Sequence, residues 1–143
     1  MPDWSRWSDL TARCPQNGPA VYEIRVCASG IPLRVGRFLR TDMRGILCIG
    51  MTTNVRRRIR DFIKGLSRGL GHSEANLLHR LEQATALGRL IWRRSYEYRF
   101  IAVDSKTEAC RLEERLIKRY VKRFGEVPPL NSVIPNRYLS DGW

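Results

Sequence analysis

Acidic residues are scarce in this chain: 14 Asp and Glu stand against 26 Lys and Arg, for a formal charge of +12 at pH 7 and a pI near 10.4. A balance of that sign favours a polyanionic partner, with nucleic acid as the first expectation and an anionic membrane surface as the second. Nothing in the chain is amphipathic enough to lie in lipid, and it shows neither a transmembrane run nor a signal peptide. The expectation is therefore no membrane partner and a cytoplasmic protein. Cysteines are few and scattered. Cys14, Cys27, Cys48 and Cys110 form no CxxC pair and have no histidine at finger spacing, which argues against a structural zinc site and for four reduced thiols.

What is present is the composition of a folded domain. With 143 residues, 43% hydrophobic and 28% charged, the chain can build one core and is too short for two comfortable ones. Residues 45–51, Gly-Ile-Leu-Cys-Ile-Gly-Met, read as a short buried strand bounded by glycine and a Thr-Thr-Asn cluster. A helix follows, capped by Thr52, Thr53 or Asn54, with Val55, Ile59, Phe62, Ile63 and Leu66 as its apolar stripe. Arg56 and Arg58 border that stripe, while Arg57 and Arg60 point away. The two border arginines either snorkel over the core edge or serve a site.

The other segments are read the same way. Trp4, Trp7 and Leu10 recur at rough helical spacing, so residues 1–18 form an amphipathic lead-in ended by a turn over Cys14–Gly18. Ala20–Cys27 is a strand with Tyr22, Ile24 and Val26 on one face. Residues 28–43 are a hairpin insertion or irregular strand with three arginines. The stretch from Lys64 to His72 is glycine-rich and expected to be a mobile loop. Ser73 caps a second helix whose stripe, Leu77, Leu78, Leu81, Ala84 and Leu87, ends at Gly88, with His79 and Glu82 exposed. Residues 93–103 alternate as a strand. Its aromatic ladder Tyr96, Tyr98, Phe100 is either a stacking platform for bases or, as the simpler reading has it, the face that helices cover.

The final helix carries the firmest local signal. Ser105-Lys106-Thr107-Glu108 is a capping box that fixes its start. Ala109, Leu112, Leu116, Ile117, Tyr120, Val121 and Phe124 form its stripe, and Arg111, Arg115, Lys118 and Lys122 face water. Glu113 falls inside the stripe and Glu114 at its edge. A carboxylate there needs a partner: either an arginine such as Arg58 in a structural pair, or a hard divalent ion that takes one carboxylate together with substrate phosphate. Gly125 ends the helix, and Pro128-Pro129 stiffens the approach to Leu130-Asn131.

Val21-Tyr22 in one strand, Cys48-Ile49-Gly50 in the next, Arg58 eight residues after that glycine, Glu108-Ala109-Cys110-Arg111-Leu112-Glu113 with Leu116-Ile117, and Leu130-Asn131 stand in the order of the GIY-YIG nuclease family, which the chain resembles over about residues 19–131. The resemblance implies an α/β fold with a small, largely antiparallel central β-sheet flanked by helices; element order alone allows other α+β arrangements. It implies a single GIY-YIG-like domain over 1–143, core about 19–131, with an N-terminal lead-in and a C-terminal tail. It further implies a metal-dependent endonuclease acting on DNA, with Tyr22, Arg58, His72, Glu113 and Asn131 as catalytic residues. Glu113 would hold Mg²⁺ or Mn²⁺, and Asn131 would secure the centre by hydrogen bonds.

His72 matches a Gly-His-Ser element of some small members and is otherwise a bystander in a loop. Arg56, Arg57, Arg60 and Lys64 form the expected nucleic-acid surface, and a protein partner or homodimer is the expected route to targeting. Two positions depart from the family pattern: Cys48 stands where tyrosine is usual, and Phe62 where His or Tyr is common. The alternatives are a DNA-binding module that no longer cuts and an adaptor to another nuclease complex.

Overall fold

A computed structural model describes residues 3–69, 73–84 and 94–138. Within them the chain runs β1 (Ser8–Asp9), β2 (Ala20–Ala28), β3 (Ile31–Pro32), β4 (Val35–Gly36), β5 (Thr41–Asp42), β6 (Ile46–Thr52), α1 (Val55–Arg68), α2 (Ser73–Gln83), β7 (Ser95–Ala102) and α3 (Lys106–Phe124). The strand β2 is the axis of the sheet. It pairs with β7 from Ala20↔Ala102 to Cys27↔Ser95 and, on its other edge, with β6 and then β3, while β1 lies outside β7. Every pairing is antiparallel, as expected for the α/β arrangement.

Because side chains alternate along a strand, β2 feeds two cores. Tyr22, Ile24 and Val26 join Cys48 and Tyr98 under Val55, Ile59 and Phe62 of α1 and Leu78 of α2. On the opposite face Val21, Ile49 and Ile101 meet Ala109, Leu116 and Ile117 of α3. Each of the larger aliphatics is worth about 1.5–3 kcal/mol on burial, so the sheet is pinned from both sides. The Tyr98 side chain belongs to the first core, which makes the aromatic ladder a covered face rather than a stacking platform.

Helix ends follow the local chemistry. Asn54 caps α1 by accepting from the Arg57 amide at 3.1 Å, and Ser105 caps α3 by accepting from the Glu108 amide at 3.2 Å. The Glu108 carboxylate reaches back to the amide of Asp104, at 3.1 Å. The α1 helix does not stop at Leu66 but runs to Arg68, closing on Gly69 in the left-handed conformation. Gly65, expected to begin a loop, is buried on the packed face of the helix, where tertiary burial outweighs a propensity cost of about 1 kcal/mol. The proposed end of the second helix, Leu87 and Gly88, lies outside the described residues. Within α2, Leu78 is buried but Leu77 is exposed.

Three further expectations are corrected. The N-terminal lead-in is extended rather than helical: the Ser5 and Leu10 amides bond to the carbonyls of Phe100 and Tyr96, adding backbone to the β7 edge. Its tryptophans serve the sheet, since Arg25 stacks on Trp7 and Arg99 on both Trp4 and Trp7, at 4.1–4.6 Å. Those arginines also pair across the strands with Glu97 and Glu23. His79 and Glu82 are engaged rather than exposed, the first with the Leu66 carbonyl at 2.8 Å and the second with the Tyr96 hydroxyl at 3.0 Å. All four cysteines are free.

Candidate active site

Gly50 is the Cα partner of Tyr22 across the β2–β6 pair, and the tyrosine ring lies over it. A Cβ at position 50 would sit 2.5 Å from the Tyr22 hydroxyl oxygen and 2.6 Å from Cζ, so only glycine leaves room for this ring. The hydroxyl is thereby delivered to α1, where Arg58 Nε donates to it at 3.1 Å. Arg58 follows from the cap: its amide bonds to the Asn54 carbonyl at 3.0 Å, one turn into the helix that begins directly after β6.

Tyr22 and Arg58 line a cleft of about 310 Å³ together with Glu113, Asn131 and Glu74. Four of the five expected catalytic residues therefore meet; the fifth, His72, lies outside the described residues. Asn131 brackets β6 with both ends of its amide, its Oδ1 accepting from the Ile49 amide at 3.0 Å and its Nδ2 donating to the Ile49 carbonyl at 2.9 Å. With Leu130 N bonded to the Leu47 carbonyl at 2.9 Å, residues 130–131 behave as an added edge strand beside the second motif.

The electrostatics of the cleft are uneven. Burial pushes the Tyr22 hydroxyl well above its ordinary value, and the nearby Arg58 only partly opposes this, so the residue rests as a phenol. Burial alone would lower the Arg58 pKa, but Tyr22, Glu74 and Asp61 together raise it. Glu113 is half-buried, and burial pushes its carboxyl up to about 7 against the opposing hydrogen bond from the Met51 backbone; Glu74 and Glu114 add to the rise and Arg58 reduces it. No ion pair joins Glu113 to Arg58 among the described residues, so the structural pair is not formed. Glu113 is thus a carboxylate in a cleft short of positive charge at its own position.

That donor set fits a hard divalent ion. Among the described residues no three His, Cys, Asp or Glu side chains converge, which disfavours a protein-enclosed site. One half-buried carboxylate facing an open cleft suits an ion that keeps waters and shares substrate phosphate.

The two departures from the family pattern prove to be core residues. Cys48 is buried with its thiol pushed well up by desolvation, and Phe62 is fully buried beneath the sheet; neither lines the cleft. The Cys48 side chain lies in the core beneath α1 and brings no group to the cleft. Of the basic residues on α1, Arg57, Arg60 and Lys64 are exposed on the outward face. Arg56 instead donates to the carbonyls of Cys14 at 2.9 Å and Pro15 at 3.2 Å, clamping the N-terminal segment onto the helix.

Sequence reasoning missed two features. Glu74, in the first turn of α2, faces the cleft; an acid there reads simply as a favourable charge at a helix start. Glu114, placed at the stripe edge, is only 1% exposed, and Lys118, placed in water, only 3%. Residues 135–138 fold back over α3, so that Glu114 accepts from the Arg137 amide at 2.5 Å and the Tyr138 amide at 2.8 Å. Lys118 Nζ donates to Asn136 Oδ1 at 2.8 Å and stands 3.7 Å from Glu114. An i,i+4 Glu/Lys pair ordinarily signals a solvated face, and only the return of the tail buries this one.

A family model described as GIY-YIG domain-containing protein matches residues 5–125 of the chain. No curated protein and no solved structure matches it.

Proposed function

The chain belongs to the GIY-YIG family, and on that premise we propose that it is a divalent-metal-dependent endonuclease hydrolysing phosphodiester bonds of DNA. Membership implies nuclease-type chemistry in general. The observation that carries it is the meeting of Tyr22, Arg58, Glu113 and Asn131 in one cleft, with no ion pair between Glu113 and Arg58 among the described residues. A pure binding surface has no use for a half-buried carboxylate in a chain of +12.

The residues divide the work as follows. With Nε committed to Tyr22, Arg58 keeps its two terminal nitrogens for a phosphoryl oxygen, where charge builds as water attacks phosphorus. Tyr22 starts as a phenol, so it orients the attacking water or a phosphate oxygen by hydrogen bonding rather than accepting a proton at the outset. Glu74, an oxygen base in the same cleft, takes the water proton as the new P–O bond forms and the ester P–O bond breaks. The leaving oxygen is reprotonated from solvent. Glu113 would hold Mg²⁺ or Mn²⁺, and such an ion supplies Lewis-acid stabilisation of the phosphoryl and leaving oxygens when bound. Asn131 fixes Ile49 and so the strand carrying Gly50.

A second reading, a module that binds duplex without cutting, is favoured by Cys48 and Phe62, which bring no polar group to the cleft. Supercoiled plasmid incubated with the wild type plus Mg²⁺, Mn²⁺ or a chelator separates the two. Nicked or linear product that depends on the ion supports the endonuclease; intact plasmid under both ions, with duplex still bound, establishes the module.

A further inference from the structure

The segment between β2 and β6 is a built element with an exposed tip. The strands β4 and β5 pair Val35↔Asp42 and Gly36↔Thr41, so residues 37–40, Arg-Phe-Leu-Arg, form the turn of a short hairpin. Its base is fixed by Asp42, a buried carboxylate that accepts from the Tyr120 hydroxyl at 2.9 Å and the Arg44 amide at 2.9 Å. Its tip is fixed as well. The Leu39 amide bonds to the Phe124 carbonyl at 2.9 Å, and Arg37 pairs with Glu126 and donates to the Val127 carbonyl at 3.4 Å.

Clamped in this way, Phe38 is nevertheless 79% exposed, and Leu39 and Met43 are exposed beside it. The backbone around the tip leaves no slack. A Cβ at Gly125 would meet Leu39 Cγ at 2.6 Å and Phe38 Cδ1 at 3.0 Å. An aromatic presented on an anchored hairpin with most of its surface in water is an unusual exposure of apolar area, and a short hairpin is a form that enters a groove.

The charge around the tip selects the occupant. Between Ala28 and Arg44 the only acid is Asp42, which is buried, whereas Arg34, Arg40 and Arg44 are exposed. An exposed ring flanked by cations suits a polyanion with apolar surface between its charges. A second copy of a +12 chain is the poorest electrostatic match.

We infer that the β4–β5 hairpin is a second duplex contact, in which Phe38 seats as an apolar wedge against a base step in the minor groove while Arg34 and Arg40 engage the flanking phosphates. This rests on DNA being the substrate of the cleft. Glu113 and Gly125, the C-cap of α3, are twelve positions apart, about 18 Å along the axis, or about five base pairs of duplex rise. The wedge thus contacts the same duplex at a step away from the reacting phosphate, and unstacking that step favours deformable sequences.

The test measures binding of the full chain, in chelator so that nothing is cut, to a fluorescein-labelled 30-base-pair duplex and to duplexes carrying 2-aminopurine. Replacing both Arg34 and Arg40 with alanine is expected to weaken binding about tenfold and to reduce the log–log salt slope by about 2. Phe38→Ala is expected to weaken binding about fivefold with the salt slope unchanged and to abolish the 2-aminopurine fluorescence rise, and Phe38→Trp to restore it. Thermal melts of Phe38→Ala should match the wild type, because the ring is exposed. Affinities of these variants within twofold of wild type, with the wild type binding and cutting DNA, would overturn the hairpin contact and leave the nuclease intact. A wild type without duplex affinity would overturn both. Concentration-dependent dimerisation in the ultracentrifuge, lost in Phe38→Asp while duplex binding is unchanged, would assign the tip to self-association and refute the wedge.

Discussion

Glu113→Gln turns the chemistry of the cleft into a stability measurement with a definite sign. The folded state raises the Glu113 pKa from 4.5 to about 7, chiefly by burial. A carboxyl raised by folding favours the native state below pH 4.5, where both states hold the proton, and loses that advantage as pH rises through 7. Across that window the span corresponds to about 3 kcal/mol at 1.36 kcal/mol per pH unit, reduced to about 2 kcal/mol because the cleft is open to solvent. Glutamine reproduces the protonated form in size and hydrogen bonding, so the ion-free variant should melt with the wild type near pH 4.5 and about 5–8 °C above it at pH 8.5. Mg²⁺ or Mn²⁺ at pH 8.5 should raise the wild-type melting point and leave the variant unmoved, and plasmid nicking should vanish with duplex affinity kept. Scanning calorimetry at the two pH values, set beside the nicking assay, is sufficient. A variant less stable at pH 8.5 by about 3–5 kcal/mol would refute the reasoning, since that is the penalty for stranding a buried arginine whose carboxylate partner has been removed.

Further perturbations test other parts of the site. Gly50→Ala forces the Tyr22 ring off its seat and should destabilise the fold by about 1–3 kcal/mol while lowering cleavage, as read from melts and nicking rates together; a neutral effect on both would mean the ring is not confined. Arg58→Ala should reduce turnover by about 10²–10³ with a smaller loss of duplex affinity, measured by single-turnover nicking against anisotropy. Glu74→Gln should slow cleavage by about 10²-fold, leaving binding and ion-induced stabilisation in place; unchanged single-turnover rates would return the proton transfer to Tyr22 or to a residue outside the described segments. Duplex affinity should fall steeply with salt, given a +12 chain whose exposed Arg57, Arg60 and Lys64 share one face; a flat salt titration would remove the electrostatic premise.

The fold was legible wherever a local signal agreed with its surroundings. The alternation of β2, the cap at Asn54 and the capping box at Ser105 each fix an element from a handful of neighbouring residues. The meeting of Tyr22, Arg58, Glu113 and Asn131 was legible only through the family resemblance, since periodicity places each on its own element and does not say that the elements converge. Illegible features depend on contacts distant in sequence. Nothing near Trp4 and Trp7 distinguishes a helix face from an extended segment; Arg25 and Arg99, brought together by the β2–β7 register, decide it. Arg56 looked like a phosphate ligand because its partners, the carbonyls of Cys14 and Pro15, lie some forty residues earlier. Glu114 reads as a stripe-edge residue and Lys118 as a solvated one because periodicity describes one helix at a time and contains no information about a returning tail.

Asn131 and the 135–138 return close the fold through contacts distant in sequence, and this bears on how the protein folds. Without residues 130–138, β6 keeps an open edge at Leu47 and Ile49, and the buried Glu114 carboxylate loses the Arg137 and Tyr138 amides. The Ile49–Asn131 bond alone spans 82 positions, and a contact of such separation must meet its loop-closure cost before it stabilises anything. The brace on β6 is therefore a long-range contact that local folding of the strands and helices does not supply.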